Sequence, residues 1–153
     1  MSTEQKNKNN RTKFNVDKDT ERRTCDGIIF ASILEMKYYR DMILPQMRSG
    51  YIVKCELQKP YELQPKFIHE SKTVQPITYV ADFYIEYKNG KSLVIDTKGC
   101  PDSVAKIKRK MFWYLYPDTQ YQWIGYSAID GGFCDYDYIQ QQRKLRKKLK
   151  ENK

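Results

Sequence analysis

Asp82, Asp96 and Lys98 form the pattern Asp-x13-Asp-x-Lys, and these three residue types suit one chemistry. Two carboxylates held close together repel unless one is protonated or a cation lies between them. Hard divalent cations such as Mg²⁺ take oxygen ligands, often one or two carboxylates together with substrate phosphates. A lysine beside such a pair can orient a water or offset the charge developing on a phosphoryl oxygen. The trio is therefore a candidate site for metal-dependent phosphodiester hydrolysis. The spacing is short and common, so a solvated Asp–Asp–Lys cluster on a sheet face is the competing reading.

The surrounding residues say how the chain would bring the trio together. Thr78–Tyr87 and Lys91–Lys98 alternate like strands around Asn89-Gly90, a strong hairpin signal. A two-residue loop would pair Phe83 with Asp96 and mix apolar with charged side chains on both faces. A three-residue loop, Lys88-Asn89-Gly90 with Gly90 left-handed, pairs Asp82 with Asp96 and Phe83 with Ile95. Phe83, Ile85, Leu93 and Ile95 then share an apolar face expected to pack on a helix. Asp82, Tyr84, Val94, Asp96 and Lys98 share the other. Only the bulged loop sorts the residues by chemistry, and it sets the two carboxylates opposite each other with Cβ atoms about 5 Å apart.

Further elements frame this hairpin. Ser32 with Glu35 three residues on signals a helix start ahead of Leu34, Tyr38, Tyr39, Met42 and Ile43. Pro45 is expected to bend or stop that helix, and Ser49-Gly50 to close it. Tyr51–Gln58 and Tyr61–His69 read as strands. Ser103–Tyr116 reads as a helix stopped by Pro117, Tyr121–Tyr126 as a strand, and the C-terminal segment as a helix with a thin apolar stripe at Ile139, Gln142, Leu145 and Leu149. The order αβββ–α–β–α predicts an α/β (α+β) fold with a mixed central sheet.

The chain has 153 residues and a formal net charge of +9, a length that fits one domain. The excess of base sits at the two ends. Residues 1–13 carry +3 and read as a disordered basic tail, residues 14–142 are neutral and form the core, and residues 143–153 carry +6 as a basic helical arm. That arm is either a phosphate-contacting device or a solvated helix end. An excess of base points to a polyanionic partner, nucleic acid or an anionic membrane surface. The longest largely apolar stretch, residues 28–34, is far short of the ~20 residues that span a bilayer. The N-terminal residues show no apolar signal region, so a cytoplasmic protein is expected. Cys25, Cys55, Cys100 and Cys134 form no CxxC pair and lie far from His69, the only histidine. That argues against a zinc site and for reduced cysteines. It also argues against nucleases built on several histidines.

In these motifs the sequence resembles the PD-(D/E)xK nuclease superfamily, with Ala81-Asp82 in place of Pro-Asp and Asp96-Thr97-Lys98 as the second half. More closely, it resembles a small phage-encoded family of that superfamily. The matching segments are Asp26-Gly27-Ile28-x-Phe30-x-Ser32-x-x-Glu35, Gly50-Tyr51-Ile52 with Leu57-Gln58, Tyr79-x-Ala81-Asp82-Phe83, and Val94-Ile95-Asp96-Thr97-Lys98-Gly99. The Lys-rich helix with Lys106, Lys108 and Lys110 before Phe112 also fits. The resemblance covers residues 25–126 and neither basic end. It implies a restriction-endonuclease-like αβββ-α-β core flanked by helices. It also implies that Asp82 and Asp96 ligate a metal, that Thr97 offers its backbone carbonyl, and that Lys98 assists the attacking water. Glu35 would hold a metal-bound water or a second ion, although Ser32-x-x-Glu35 is equally a capping box. Gln58 is a weaker site candidate.

The expected function is that of a Mg²⁺-dependent DNA endonuclease of phage or mobile-element type, with Mn²⁺ as a substitute, acting on branched or junction DNA. Lys106, Lys108 and Arg109, with Arg143, Lys144, Arg146, Lys147 and Lys148, are the expected backbone-phosphate contacts. RNA remains open as a substrate, no membrane partner is expected, and a homodimer would let one site per chain cut both strands. The competing function is a non-catalytic nucleic-acid-binding module on the same fold.

Overall fold

Turn chemistry sets the first element pair. Asp26 and Gly27 both take positive φ, 54° and 75°, and this primed turn pairs β1 (Thr24–Cys25) with β2 (Ile28–Ile29) antiparallel. The computed structural model describes residues 18–152, so the expected basic tail at 1–13 lies outside the described residues. The chain divides into two compact units, residues 1–45 and 46–153.

In the first unit α1 (Ile33–Tyr38) opens on Ser32, whose side chain accepts a hydrogen bond from the Glu35 amide at 3.1 Å. This is half of the expected capping box. A π turn over Tyr39–Ile43 follows, and then α2 (Leu44–Arg48). Pro45 does not stop the helix, which runs on to Arg48 and closes at Ser49-Gly50 as expected, with Gly50 at φ 77°. A proline lacks an N–H and crowds the carbonyl four residues back, and a wider i→i+5 turn just before it relieves both problems. Phe30, Met36, Tyr39 and Ile43 are buried, with the Phe30 and Tyr39 rings 5.0 Å apart.

The second unit is built on β3 (Ile52–Gln64), β4 (Phe67–His69), β5 (Lys72–Val74), β6 (Ile77–Tyr87), β7 (Ser92–Thr97), α3 (Ser103–Leu115), β8 (Tyr121–Ser127), β9 (Gly132–Asp135) and α4 (Tyr136–Glu151). Among the described residues five strands form a mixed sheet in the order β3-β6-β7-β8-β9. Only the β7–β8 pair is parallel, as α3 between them requires, because parallel neighbours need a long crossover. The fold is α/β with a mixed central sheet.

Two expected strands, Tyr51–Gln58 and Tyr61–His69, prove to be one long β3 that runs through Pro60 to Gln64. Proline is tolerated there because β3 is the sheet edge and its missing donor faces away from the partner. Phe67–His69 instead pairs with β5 in a separate two-stranded ribbon. β9 was not expected.

The β6–β7 hairpin has the bulged register. Phe83 pairs with Ile95, Tyr84 with Val94 and Ile85 with Leu93. Gly90, at φ 82°, donates to the Tyr87 carbonyl at 2.9 Å, and the Tyr87 amide donates to the Lys91 carbonyl at 2.8 Å. Phe83, Ile85 and Ile95 are buried on one face. Leu63, Tyr79, Ala81, Val94 and Phe112 form a core cluster, with Tyr61, Met111, Tyr116 and Tyr121 packed around it. α3 caps its N-terminus with Asp102, whose side chain accepts from the Ala105 amide at 2.8 Å, and contributes Phe112 to that cluster.

Candidate metal and phosphodiester site

The hairpin register carries Asp82 and Asp96 to the ends of the β6–β7 ladder, one step beyond the Phe83–Ile95 pair. Asp82 does not stand alone. Its Oδ2 accepts hydrogen bonds from both the Thr97 amide and the Thr97 hydroxyl, each at 2.8 Å. Thr97 therefore orients Asp82 through two of its own donors, a role beyond the carbonyl expected of it. Gln58 lies at the matching register position on β3, between the Leu57–Phe83 and Lys59–Ala81 pairs, and has a positive φ of 54°. The regular β3–β6 ladder is interrupted there, at the level of Asp82.

Asp96 is the buried member, 3% exposed. Burial, and after it the charge of Asp82, push its carboxyl up to about 7, against Lys98, which pulls it down. The Lys98 Nζ lies 2.5 Å from Asp96 Oδ2, a charge-assisted ion pair. The Lys98 amide donates to the Ile124 carbonyl at 2.7 Å, which extends β7 along β8 and fixes the lysine's origin. A buried carboxylate beside a second one, with one ammonium to share, still lacks positive charge.

Beneath the trio lies an aromatic floor that sequence reasoning did not find. Asp96 pairs in register with Trp123 of β8. The Trp123 Nε1 donates to the Tyr121 hydroxyl at 2.5 Å, and the rings of Tyr79 and Tyr121 stand 5.6 Å apart, edge to face. Burial and the neighbouring Asp96 charge raise both tyrosines far above the ordinary phenol value, so both stay protonated and neutral. The available signal was the strand–helix–strand order, which makes β7 and β8 parallel neighbours and sets Asp96 beside a residue of Tyr121–Tyr126.

The other expected site residues lie on other elements. Glu35 is buried on α1 in the first unit, 3% exposed. On α3, Lys106 is exposed, but the Lys108 Nζ donates to the Thr78 carbonyl at 2.9 Å. Arg109 pairs with Asp137 at 2.8 Å and stacks on Trp123. On α4, Arg146 forms a two-pronged ion pair with Asp130, at 2.6 and 3.0 Å. Lys147 lies 3.8 Å from Glu151, while Arg143, Lys144 and Lys148 are exposed.

The donor set at the hairpin consists of hard carboxylate oxygens, one carboxylate buried next to the charge of the other with a single ammonium against it, and this fits a hard divalent cation. Among the described residues no cluster of three or more His, Cys, Asp or Glu is spaced to hold a metal ion. A Mg²⁺ site does not need three, because it completes its shell with waters and substrate phosphate. Among the described residues no helix is long and apolar enough to cross a membrane. The family model described as "Protein of unknown function (DUF1064)" matches residues 11–129, which span the hairpin, α3 and β8. No curated protein matches the chain.

Proposed function

Because the chain belongs to this family of unknown function, we propose its activity from the site itself: a divalent-metal-dependent DNA endonuclease that hydrolyses phosphodiester bonds at Asp82, Asp96 and Lys98. The observation that carries the reading is the buried Asp96 carboxylate, held next to the Asp82 charge with the Lys98 ammonium 2.5 Å from one of its oxygens. Asp82, Asp96 and the Thr97 carbonyl would hold the ion. The chemistry a bound Mg²⁺ or Mn²⁺ supplies is Lewis-acid polarisation of a phosphoryl oxygen and a lowered water pKa.

The chain's own residues do the rest. Thr97 holds Asp82 in one orientation through two hydrogen bonds. Lys98, ion-paired to Asp96, is close enough to the carboxylates to orient the attacking water and to offset charge building on the phosphate. The aromatic floor excludes water from the inner side of Asp96, which strengthens each of these interactions. Following the resemblance, cleavage would leave a 5′-phosphate. The proposed substrate is branched or junction DNA, cut on both strands by a homodimer with one site per chain, and the separated cysteines favour a cytoplasmic setting.

The test is a panel of linear, nicked, flapped and four-way DNA substrates, each with Mg²⁺, Mn²⁺ or EDTA. Wild type is expected to cut at least one of them only with a divalent ion, and Asp96→Asn to cut at least ~10²-fold more slowly. Cutting that survives Asp96→Asn would overturn the proposal. Binding across the whole panel with no cutting would favour a binding module instead.

A further inference from the structure

A ladder of alternating cations and rings connects the carboxylate pair to the outer face of α3. The Lys98 Nζ lies 5.5 Å from the centre of the Trp123 ring. The Arg109 guanidinium lies 3.8 Å from the same ring and 4.7 Å from the ring of Trp113. Asp137 holds that guanidinium from the side at 2.8 Å. The ladder begins at a buried ion pair and ends in the open, where Trp113 is 47% exposed and Tyr114, beside it, 85% exposed.

Cations share this face with one exposed aliphatic side chain, Ile107. Residues three, four and seven apart share a helix face, so Lys106, Lys110, Trp113 and Tyr114 form one outward strip. Lys106 and Lys110 are both exposed. α3 carries Lys106, Lys108, Arg109 and Lys110 and no acidic residue between Ser103 and Leu115. Phe112, on the opposite side of the helix, supplies its packing, so core formation does not account for Trp113 or Tyr114. An acidic protein surface would satisfy the lysines and leave two large rings in water. A nucleic-acid strand satisfies both, because every phosphate is an anion and every base offers a π-face.

We propose that Trp113 and Tyr114 form a stacking subsite for an unpaired nucleobase of the DNA strand, with Lys106 and Lys110 on its phosphates. Bases inside a duplex already have both faces covered by neighbours, so only an unpaired base can lie flat on an indole. The subsite therefore names a substrate class for the hairpin site: DNA with a single-stranded segment beside the cleavage point. The location of that cleavage point rests on the nuclease reading, whereas the stacking itself does not.

The test measures binding of the full chain in EDTA, by fluorescence anisotropy, to a short oligothymidylate, a blunt duplex of equal length and the same duplex with a single-stranded flap. Wild type is expected to prefer the oligothymidylate and the flap. Trp113→Ala should weaken both about tenfold and change the blunt duplex less than twofold, and Trp113→Phe should restore most of the loss. Tyr114→Ala, at a position too exposed to disturb folding, should show the same selectivity with a smaller loss. Unchanged binding in both alanine variants, or equal losses on all three probes, would overturn the subsite. The nuclease reading fails separately. Protein that binds through Trp113 but never cuts keeps the subsite and loses the hydrolase. Protein that cuts normally but is indifferent to Trp113 on flapped DNA keeps the hydrolase and loses the subsite.

Discussion

At the scale of single residues, Asp96 decides most. Burial and the Asp82 charge raise its pKa, so the folded state holds the Asp96 proton more tightly than the unfolded chain does. Ionising it therefore costs stability, beginning as pH climbs past the unfolded carboxylate value near ~4 and complete above about 7. In EDTA, Asp96→Asn is expected to raise the melting temperature more at pH 8 than at pH 5, where the wild-type carboxyl is already largely neutral. An equal shift at both pH values would mean that the buried charge is not what strains the site. A variant that is more stable and catalytically inert would separate a site residue from a packing residue. The acid pair, the lysine and the hairpin turn were legible in the sequence because turn chemistry and strand alternation act within a few residues. The hydrogen bonds from Thr97 to Asp82 follow from the same register. Trp123 and Tyr121 were not legible as partners of Asp96, because that contact depends on which strand lies beside β7.

At the scale of elements, the hairpin and α4 are held by different devices. Gly90 sits at φ 82°, where an L-residue costs about 1–2 kcal/mol. Gly90→Ala should lower stability by roughly that amount in chemical denaturation, and a neutral result would mean that the bulged loop is not strained. α4 is pinned by Arg146 on the buried Asp130 side chain, which also accepts from the Ser127 hydroxyl at 2.6 Å. The Arg146 and Ser127 hydrogen bonds hold the Asp130 carboxyl below the ordinary carboxylate range. The stability it contributes is thus present above that range and lost as pH falls through the lowered value. Asp130→Asn is expected to speed amide exchange along residues 143–150 at pH 7, and wild type should approach the variant in strong acid. Exchange unchanged at pH 7 would rule out the pin. The expected division into two strands at Pro60 does not occur, for a physical reason. Proline breaks an interior strand but not an edge, and edge position is a property of the sheet.

For the whole molecule, the bases among the described residues divide into those that hold the fold and those left exposed. Lys108 serves a backbone carbonyl, Arg109 an acid and two indoles, and Arg146 a buried acid. Lys106, Lys110, Arg143, Lys144 and Lys148 remain exposed. The apolar stripe expected along the C-terminal helix is likewise only partly used: Ile139 is buried, whereas Leu145 and Leu149 are exposed. If Lys144 and Lys148 each neutralise a phosphate, replacing both with Gln should reduce the slope of log binding constant against log salt by about 2. An unchanged slope would remove α4 from the DNA interface. By itself, the sequence determined the α/β order of elements, the hairpin register that gathers Asp82, Asp96 and Lys98, and the location of excess charge, since alternation, turn residues and charge count are local or additive. Only the tertiary structure decided that Asp96 is buried on an aromatic floor and that Lys108, Arg109 and Arg146, three of the expected phosphate ligands, are engaged with residues distant in sequence. It also decided that a half-exposed indole ends a cationic ladder from the site. Those facts depend on pairs such as Asp96 with Trp123 and Arg109 with Asp137, whose proximity follows from how strands order in the sheet and how helices pack on it.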